Sequence, residues 1–144
     1  KPEGAPVGSI KNIRISDIVA DVQIPQVRSR QSEGTMVNGF TGRQRAQAGP
    51  IMIAGIPGHY IENVVLENIE ISYPGLGTVE DSKNEVAEDI ARYPEQFFFG
   101  VLPAWGAYIR HAKNIEFNNV KMTTREDDKR EKIVLDDVED FTNE

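Results

Sequence analysis

The chain has 144 residues, 39% hydrophobic and 27% charged, which is enough to bury a core and is typical of a globular rather than a disordered chain. It has no cysteine, which excludes disulfides and thiolate metal sites, and its net charge of −7 argues against binding to a nucleic acid backbone. No apolar run reaches the roughly 18 residues that a membrane helix needs, and no signal-peptide pattern opens the chain.

A seven-residue pattern recurs along the chain. It reads Asn, aliphatic, any residue, apolar, any residue, Asn or Asp, aliphatic. The copies begin at Asn12, Asn63 and Asn114, so successive copies are 51 residues apart. Repetition at a fixed period indicates a stacked, quasi-one-dimensional architecture.

The alternation of apolar and polar residues inside each copy predicts a strand that turns a corner. Apolar residues alternate first, as at Ile13 and Ile15, then two polar residues follow together, and then the alternation resumes. Asn and Asp tolerate the left-handed backbone region, so the second polar residue is the expected corner. In a stack, these residues form a ladder consisting of Asp17, Asn68 and Asn119. An ordinary hairpin turn is the alternative, but it does not explain the equal spacing.

Further strands complete each coil. Residues 50–55 and 106–111 precede the second and third copies, and residues 132–141 predict a fourth coil. Each coil is expected to contain three short strands of three to six residues. The predicted fold class is all-β, a partial right-handed parallel β-helix of about four coils that forms one domain over residues 1–144.

Two long insertions interrupt the stack. Residues 22–49 are polar and read as an extended loop, with a basic set made of Arg28, Arg30, Arg43 and Arg45. Residues 74–105 are expected to carry a short helix over 79–92, because acidic residues come early and Pro94 lies beyond its end. Both insertions leave the same corner of adjacent coils, so we expect them to lie side by side.

The chain shows no cap at either end of the predicted stack. We therefore expect it to be the C-terminal portion of a longer β-helix, with self-association through uncapped coil ends. The alternative is a small domain that covers its ends with a partner.

Several sequence strings resemble the bacterial branch of glycoside hydrolase family 28, the polygalacturonase-like enzymes. Residues 56–64, 102–106, 108–111 and 134–140 resemble this branch, and residues 8–13 resemble the coil that follows the active site in family 28 as a whole. The resemblance implies hydrolysis of pectin-type, galacturonide-like polysaccharide, a secreted or periplasmic location and no cofactor. The family's conserved active-site motifs are Asn-Thr-Asp, Asp-Asp, Gly-His-Gly and Arg-Ile-Lys, and all four are expected upstream of Lys1. This chain alone is therefore expected to lack catalytic residues.

Four residues are candidates for contact with a sugar. His59 and Tyr60 lie in a five-residue corner insertion, Arg110 suits the carboxylate of a uronic acid, and Trp105 is the only tryptophan. Plainer structural roles compete with each: corner packing for His59 and Tyr60, an ion pair with an acidic loop for Arg110, and a small core within the second insertion for Trp105.

We expect the paired aspartates to be mainly structural residues. Asp136 and Asp137 copy the Asp-Asp motif but lie on the last coil, where a solvated strand end is expected, and Asp127 and Asp128 lie in a mixed-charge turn. Two histidines 52 residues apart give no metal signature. Three functions therefore remain open: a hydrolase portion, a non-catalytic β-helix that binds polysaccharide or mediates assembly, and a pectate-lyase-like β-helix.

Overall fold

The computed structural model describes residues 4–26, 36–91 and 95–144. This part of the chain is an all-β structure built on one parallel sheet. Its regular elements, in chain order, are β1 (Lys11–Asp21), α1 (Gly42–Gln47), β2 (Ile51–Ala54), β3 (Ile61–Tyr73), β4 (Ala104–Thr124) and β5 (Glu131–Asn143), with 3₁₀ turns at Asp81–Lys83 and Gln96–Phe99.

Every strand pairing is parallel, and the pairings follow the repeat. β1 pairs with β3, and β3 pairs with the second half of β4. Ile13 lies opposite Val64, which lies opposite Ile115, so the 51-residue spacing is the register of the sheet. β2 pairs with the first half of β4, and β5 pairs along the other side of β4.

The strands bend at residues with positive φ. Asp17, Asn68 and Asn119 have φ values of 60°, 52° and 55°, in the left-handed region that short polar side chains tolerate. The hydrogen-bonded ladders continue through these corners, so β3 has 13 residues and β4 has 21. The predicted strands of three to six residues are therefore too short.

The sheet curls so that its apolar face encloses the core. β4 contributes the most buried side chains, among them Ile109, Ile115 and Phe117, each with an exposed fraction of 0%. The equivalent residues of β1 are much more accessible, with Ile13 at 37% and Ile15 at 41%. The same motif is thus buried in the middle of the stack and exposed at its edge.

The helix lies in the first insertion, not the second. Thr41 caps α1 by accepting a hydrogen bond from the Gln44 N–H, while the Gln44 side chain accepts one from the Thr41 N–H. The prediction that 22–49 is only an extended loop is therefore wrong. Arg28 and Arg30 fall in residues 27–35, outside the described part of the chain.

The predicted helix over 79–92 is also wrong, because only Asp81–Lys83 forms a short 3₁₀ turn there. The Arg110 guanidinium donates to the carbonyls of Val86 and Ala87 at 2.8 and 3.0 Å. A helix would need those carbonyls to accept from N–H groups four residues later. The end of the predicted segment, with Pro94, lies in residues 92–94, outside the described part.

The two insertions pack side by side, as predicted. Arg45 forms an ion pair with Asp81, in which both side chains are largely buried. The Gln96 side chain donates to the Pro50 carbonyl at 2.5 Å, and the Arg43 guanidinium lies 5.1 Å from the Phe97 ring centroid. These contacts make the insertions one wall beside the stacked strands.

Candidate functional site

Two columns of amide side chains run along the stack. The first is the predicted one, in which Asn119 donates to Asn68 at 3.1 Å and Asn68 donates to Asp17 at 3.3 Å. The second was not foreseen: Asn114 donates to Asn63 at 2.8 Å and Asn63 donates to Asn12 at 3.0 Å. All members are exposed or at the strand corners, so these columns belong to the scaffold.

The corner insertion between β2 and β3 presents His59 and Tyr60. Ile56 and His59 form an antiparallel bridge around a tight turn in which Gly58 has φ 77°. Gly55 lies beneath this turn, where an added Cβ would be 2.5 Å from the His111 carbonyl oxygen and 2.6 Å from that of His59. The turn therefore packs directly on β4 and holds its two aromatic residues at the rim of the sheet.

A chain of polar contacts links four elements next to this turn. His111 Nδ1 lies 2.6 Å from Asp137 Oδ2, and His111 Nε2 lies 3.0 Å from Glu88 Oε1. The Tyr60 hydroxyl donates to the same Asp137 carboxylate at 2.8 Å. We call these four residues, Tyr60, Glu88, His111 and Asp137, the His111 cluster. Sequence reasoning missed it because Glu88 lies in an aperiodic insertion and no spacing connects it to His111.

The electrostatics of the His111 cluster favour its charged form. Burial lowers the pKa of His111, but hydrogen bonds and charges from Asp137 and Glu88 outweigh it, so the pKa is raised above the usual value. The hydrogen bonds from His111 and Tyr60 lower the pKa of the Asp137 carboxyl. The hydrogen bond to Asp137 raises the pKa of the Tyr60 hydroxyl.

Arg110 lies beneath this cluster with 2% of its surface exposed. Its guanidinium holds the second insertion through the Val86 and Ala87 carbonyls and lies 3.8 Å from the Glu88 carboxylate. This contact agrees with the structural alternative for Arg110 given above, an ion pair with an acidic loop in place of uronate binding. A side chain buried in this way positions the loop, and the suggested bidentate clamp on a uronic acid does not fit it.

Trp105 is partly buried against the main core. It packs edge-to-face on Tyr73, with ring centroids 6.1 Å apart, as part of the main core. Lys132 Nζ lies 5.8 Å from the centre of its ring. The insertion's own small core is instead formed by Leu102, Ala104 and Tyr108, so the expected place of Trp105 in that core is wrong.

Two recesses flank the corner insertion, each of about 390 Å³. The first, which we call the polar recess, is lined by Lys11, His59, Tyr60, Glu62 and Lys113 together with Val7–Ile10 and Gly58. The second we call the apolar recess. Its walls include Met52, Ile56, Ile61 and Phe99, with Glu88 and Arg110 at one end.

Lys113 is the best-placed cation of the polar recess. Its Nζ lies 4.4 Å from the centre of the Tyr60 ring and 3.8 Å from Glu139 Oε2. Lys11 and Lys113 occupy the same register position on either side of Glu62, two strand spacings or about 10 Å apart. The recess therefore combines two ammonium groups, one carboxylate, an imidazole and a phenol.

The paired aspartates have structural partners. Asp128 has 1% of its side chain exposed, binds Arg130 at 2.6 Å and accepts a hydrogen bond from the Gly77 N–H at 3.0 Å. The Tyr108 hydroxyl lies 3.5 Å from Asp136. Among the residues that the structure describes, no three His, Asp or Glu side chains are grouped to hold a metal ion.

Comparison with known proteins adds no relative. No protein-family model, no curated protein and no solved structure matches this chain. Within residues 4–26, 36–91 and 95–144, no helix is both long and apolar enough to cross a membrane.

Proposed function

We propose that this chain is the C-terminal portion of a right-handed parallel β-helix glycoside hydrolase, polygalacturonase-like and secreted or periplasmic, that acts on pectin-type polysaccharide. In this proposal the chain supplies contacts to the sugar and the catalytic carboxylates lie elsewhere. The sequence strings given above suggest the family. The observation that carries the binding role is the polar recess at the rim of the parallel sheet.

The chemistry of the polar recess suits an acidic sugar. Galacturonide units carry carboxylates, and the ammonium groups of Lys11 and Lys113 are its cationic groups. The Tyr60 ring and the His59 imidazole add an aromatic face and a hydrogen-bonding group, both useful against sugar rings and hydroxyls. Lys11 and Lys113 flank the carboxylate of Glu62, and Lys113 also lies 3.8 Å from Glu139, so a uronate would compete with Glu139 for the Lys113 ammonium group.

The carboxylates of the His111 cluster are poorly suited to hydrolysis. Inverting hydrolysis needs one carboxylic acid and one carboxylate that face the scissile bond from opposite sides, with room for water. Asp137 and Glu88 instead share one imidazole between them, and Asp137 also accepts from Tyr60. They hold the corner and the second insertion together, which supports binding by this chain without cleavage.

Binding of oligogalacturonate to the chain tests the proposal. Lys113→Met removes the central ammonium group and should weaken binding at least about tenfold, because the lost charge-assisted hydrogen bond is worth about 1.5–3 kcal/mol. Lys121→Met is the matched control, because Lys121 is an exposed lysine of β4 outside the recess. Isothermal titration calorimetry with oligogalacturonate and with a neutral oligogalactan measures both effects. Equal affinity for the two sugars, or no effect of Lys113→Met, would refute the proposal.

The second candidate is a non-catalytic β-helix module that binds polysaccharide or mediates assembly. The Asp137 and Glu88 carboxylates favour this candidate, because both already have His111 as a hydrogen-bond partner. Incubation of the chain with polygalacturonate should release no reducing ends under either candidate. Assay of the full-length protein separates the two candidates: hydrolysis of the polymer with inversion supports the first, and binding without hydrolysis supports the second.

A further inference from the structure

The buried Arg110 guanidinium has one donor without a partner. Its Nη1 and Nη2 donate to the carbonyls of Val86 and Ala87 at 2.8 and 3.0 Å, but its Nε has no hydrogen-bond partner within the described part of the chain. An unpaired buried donor is destabilising and is rare in native structures, so it needs a specific explanation. The Nε–H and one hydrogen of Nη2 point in the same direction, and together they form a fork that a carboxylate can accept bidentately.

The Glu88 carboxylate is within reach of both this fork and His111. Its Oε1 and Oε2 lie 3.0 and 3.1 Å from His111 Nε2, and Oε2 lies 3.8 Å from Arg110 Nη2. Charge-assisted N–H···O bonds are about 2.7–2.9 Å long, so a shift of about 1 Å would turn the long contact with Arg110 into a direct one. Glu88 therefore has two alternative cationic partners.

Of these three side chains, Glu88 is the one that can move. Its side chain is 43% exposed, whereas that of His111 is 9% exposed and that of Arg110 is 2% exposed. The Arg110 Cζ lies 5.8 Å from the centre of the Tyr108 ring and 6.0 Å from that of the Phe99 ring, which holds the guanidinium in place. Its two carbonyl partners immediately precede Glu88 in the chain. The backbone is thus fixed next to Arg110, and rotation of the Glu88 side chain is sufficient to change partner.

The protonation of His111 decides which partner Glu88 can use. An imidazolium donates from both nitrogens, to Asp137 and to Glu88, whereas a neutral imidazole has a single N–H. The contact of Nδ1 with Asp137, at 2.6 Å, is the shorter one, and the Tyr60 hydroxyl holds the same carboxylate. The remaining proton therefore stays on Nδ1. Nε2 then turns a lone pair toward the Glu88 carboxylate, which is repulsive.

The elements packed against His111 carry six charged or titratable groups. They are Glu88 from the second insertion, Asp137 from β5, His59 and Tyr60 from the corner insertion, and Arg110 and Lys113 from β4 itself. Lys113 is already placed between the Tyr60 ring and Glu139. Burial lowers the pKa of His111, but the hydrogen bonds and charges of Asp137 and Glu88 raise it more, so the proton is lost above about pH 6.5, the unperturbed value.

We propose that Glu88 is the moving part of a two-position switch. Its carboxylate accepts from His111 Nε2 while the imidazole is protonated and moves to Nε and Nη2 of Arg110 when the imidazole is neutral. In the second position the buried Nε–H gains its missing partner, which offsets the lost contact with His111. Glu88 and Arg110 both line one end of the apolar recess, so the movement changes the shape and charge of that end with pH. This inference does not rest on the proposed function.

A nuclear magnetic resonance titration of the wild-type chain between pH 5 and 9 tests the inference. It follows the ring nitrogens of His111, the side-chain carboxyl carbon of Glu88 and the Nε–H group of Arg110. The Arg110 Nε–H proton should shift downfield with the same midpoint as the His111 titration, because the group gains a hydrogen bond to a carboxylate at that point. The neutral His111 ring should carry its proton on Nδ1.

Three variants separate the switch from a general effect of pH. Glu88→Gln removes a charge that favours the imidazolium, so it should lower the pKa of His111 and abolish the shift of Arg110 Nε–H. In His111→Gln the Arg110 signal should no longer respond to pH. Glu85→Gln is the matched control, because it makes the same change at an exposed position of the same insertion and should leave both titrations as in the wild-type chain.

The inference is overturned if the Arg110 Nε–H signal does not respond while His111 titrates, or if its response survives in Glu88→Gln. A neutral His111 with its proton on Nε2 would also overturn it, because Glu88 would then keep its donor. Crystal structures at pH 5 and pH 9 give an independent measurement. The Glu88 carboxylate should contact His111 in the first and Arg110 Nε in the second, and an unchanged position would contradict the switch.

Discussion

The stacked strands and the two insertions hold together by different means. In the stack, equivalent residues of successive coils repeat one contact, so that Val64 lies between Ile13 and Ile115, and Asn68 between Asp17 and Asn119. In the insertions each contact occurs once, as in the ion pair of Arg45 with Asp81. Burial of apolar columns stabilises the stack, whereas single polar contacts position the insertions. Loss of one residue should therefore have different consequences in the two regions.

The largest effect is expected in the centre of the stack. Phe117→Ala should lower the free energy of unfolding by about 3–5 kcal/mol, because the ring is fully buried among neighbours that cannot all collapse into the space. Phe141→Ala removes the same ring from β5, where Phe141 is half-buried and packs edge-to-face on Phe117, so its loss should cost less. Urea denaturation of both variants measures the difference. An equal loss would mean that the edge coil is packed as firmly as the centre.

A smaller but still large effect is expected where the second insertion is anchored. Asp128→Ala should cost about 3 kcal/mol, since it leaves the mostly buried Arg130 guanidinium without its carboxylate and removes the acceptor for the Gly77 N–H. Asp127→Ala breaks only the exposed pair with Lys129, which solvent screens, and should leave the free energy of unfolding nearly unchanged. Hydrogen exchange should show opening confined to residues near Gly77 and Leu102 in the first variant. Uniform loss of protection over β3 and β4 would contradict the separation of the two regions.

The amide columns should contribute less per residue. Asn68→Ala removes the hydrogen bonds with Asp17 and Asn119 and places an alanine at φ 52°, at a cost of about 1–2 kcal/mol. Asn68→Gly removes the same hydrogen bonds without the backbone strain, so thermal melts of the two variants separate the effects. If alanine and glycine are equally destabilising, the left-handed corner is not the reason for asparagine at this position.

The smallest effect is expected in the pH dependence of the His111 cluster. The pKa of His111 is raised in the folded chain, so the stabilisation is complete below about pH 6.5, the unfolded value, and is lost as the pH rises through the folded pKa. Melting temperatures between pH 5 and 9 should fall across that window in the wild-type chain and stay flat in His111→Gln. His59→Gln is the control, because His59 is the only other histidine and is exposed. If the melting temperature of His111→Gln falls with pH as steeply as that of the wild-type chain, the His111 cluster is not the cause of the pH dependence.

The contrast between repeated contacts in the stack and single contacts in the insertions also explains which parts of the structure the sequence predicts. Alternation and spacing were sufficient to pair Ile13 with Val64 and Val64 with Ile115, because in a parallel stack an apolar residue that leaves its column is exposed. The second amide column, from Asn12 to Asn114, corresponds to the first position of the repeated pattern.

The contacts within the insertions correspond to no recurring pattern in the sequence. Whether residues 79–92 form a helix depends on Arg110, a residue of β4 whose guanidinium takes the Val86 and Ala87 carbonyls, and no local propensity reveals that competition. Likewise, His111 was visible as a strand residue, but its partner Glu88 comes from an aperiodic loop. Of the candidate site residues, His59 and Tyr60 line the polar recess, whereas Arg110 holds the second insertion and Trp105 packs on Tyr73.

The equal spacing of the three copies does not come from equal building blocks. Between Asn12 and Asn63 the chain makes one insertion with a helix and then the additional turn at Ile56–His59, whereas between Asn63 and Asn114 it makes one insertion with two 3₁₀ turns. The following step, from His111 to Asp137, needs only 26 residues and preserves the same alignment. Alignment in this molecule is therefore independent of contour length, so loops can be exchanged, shortened or grafted between coils while the strands keep their partners.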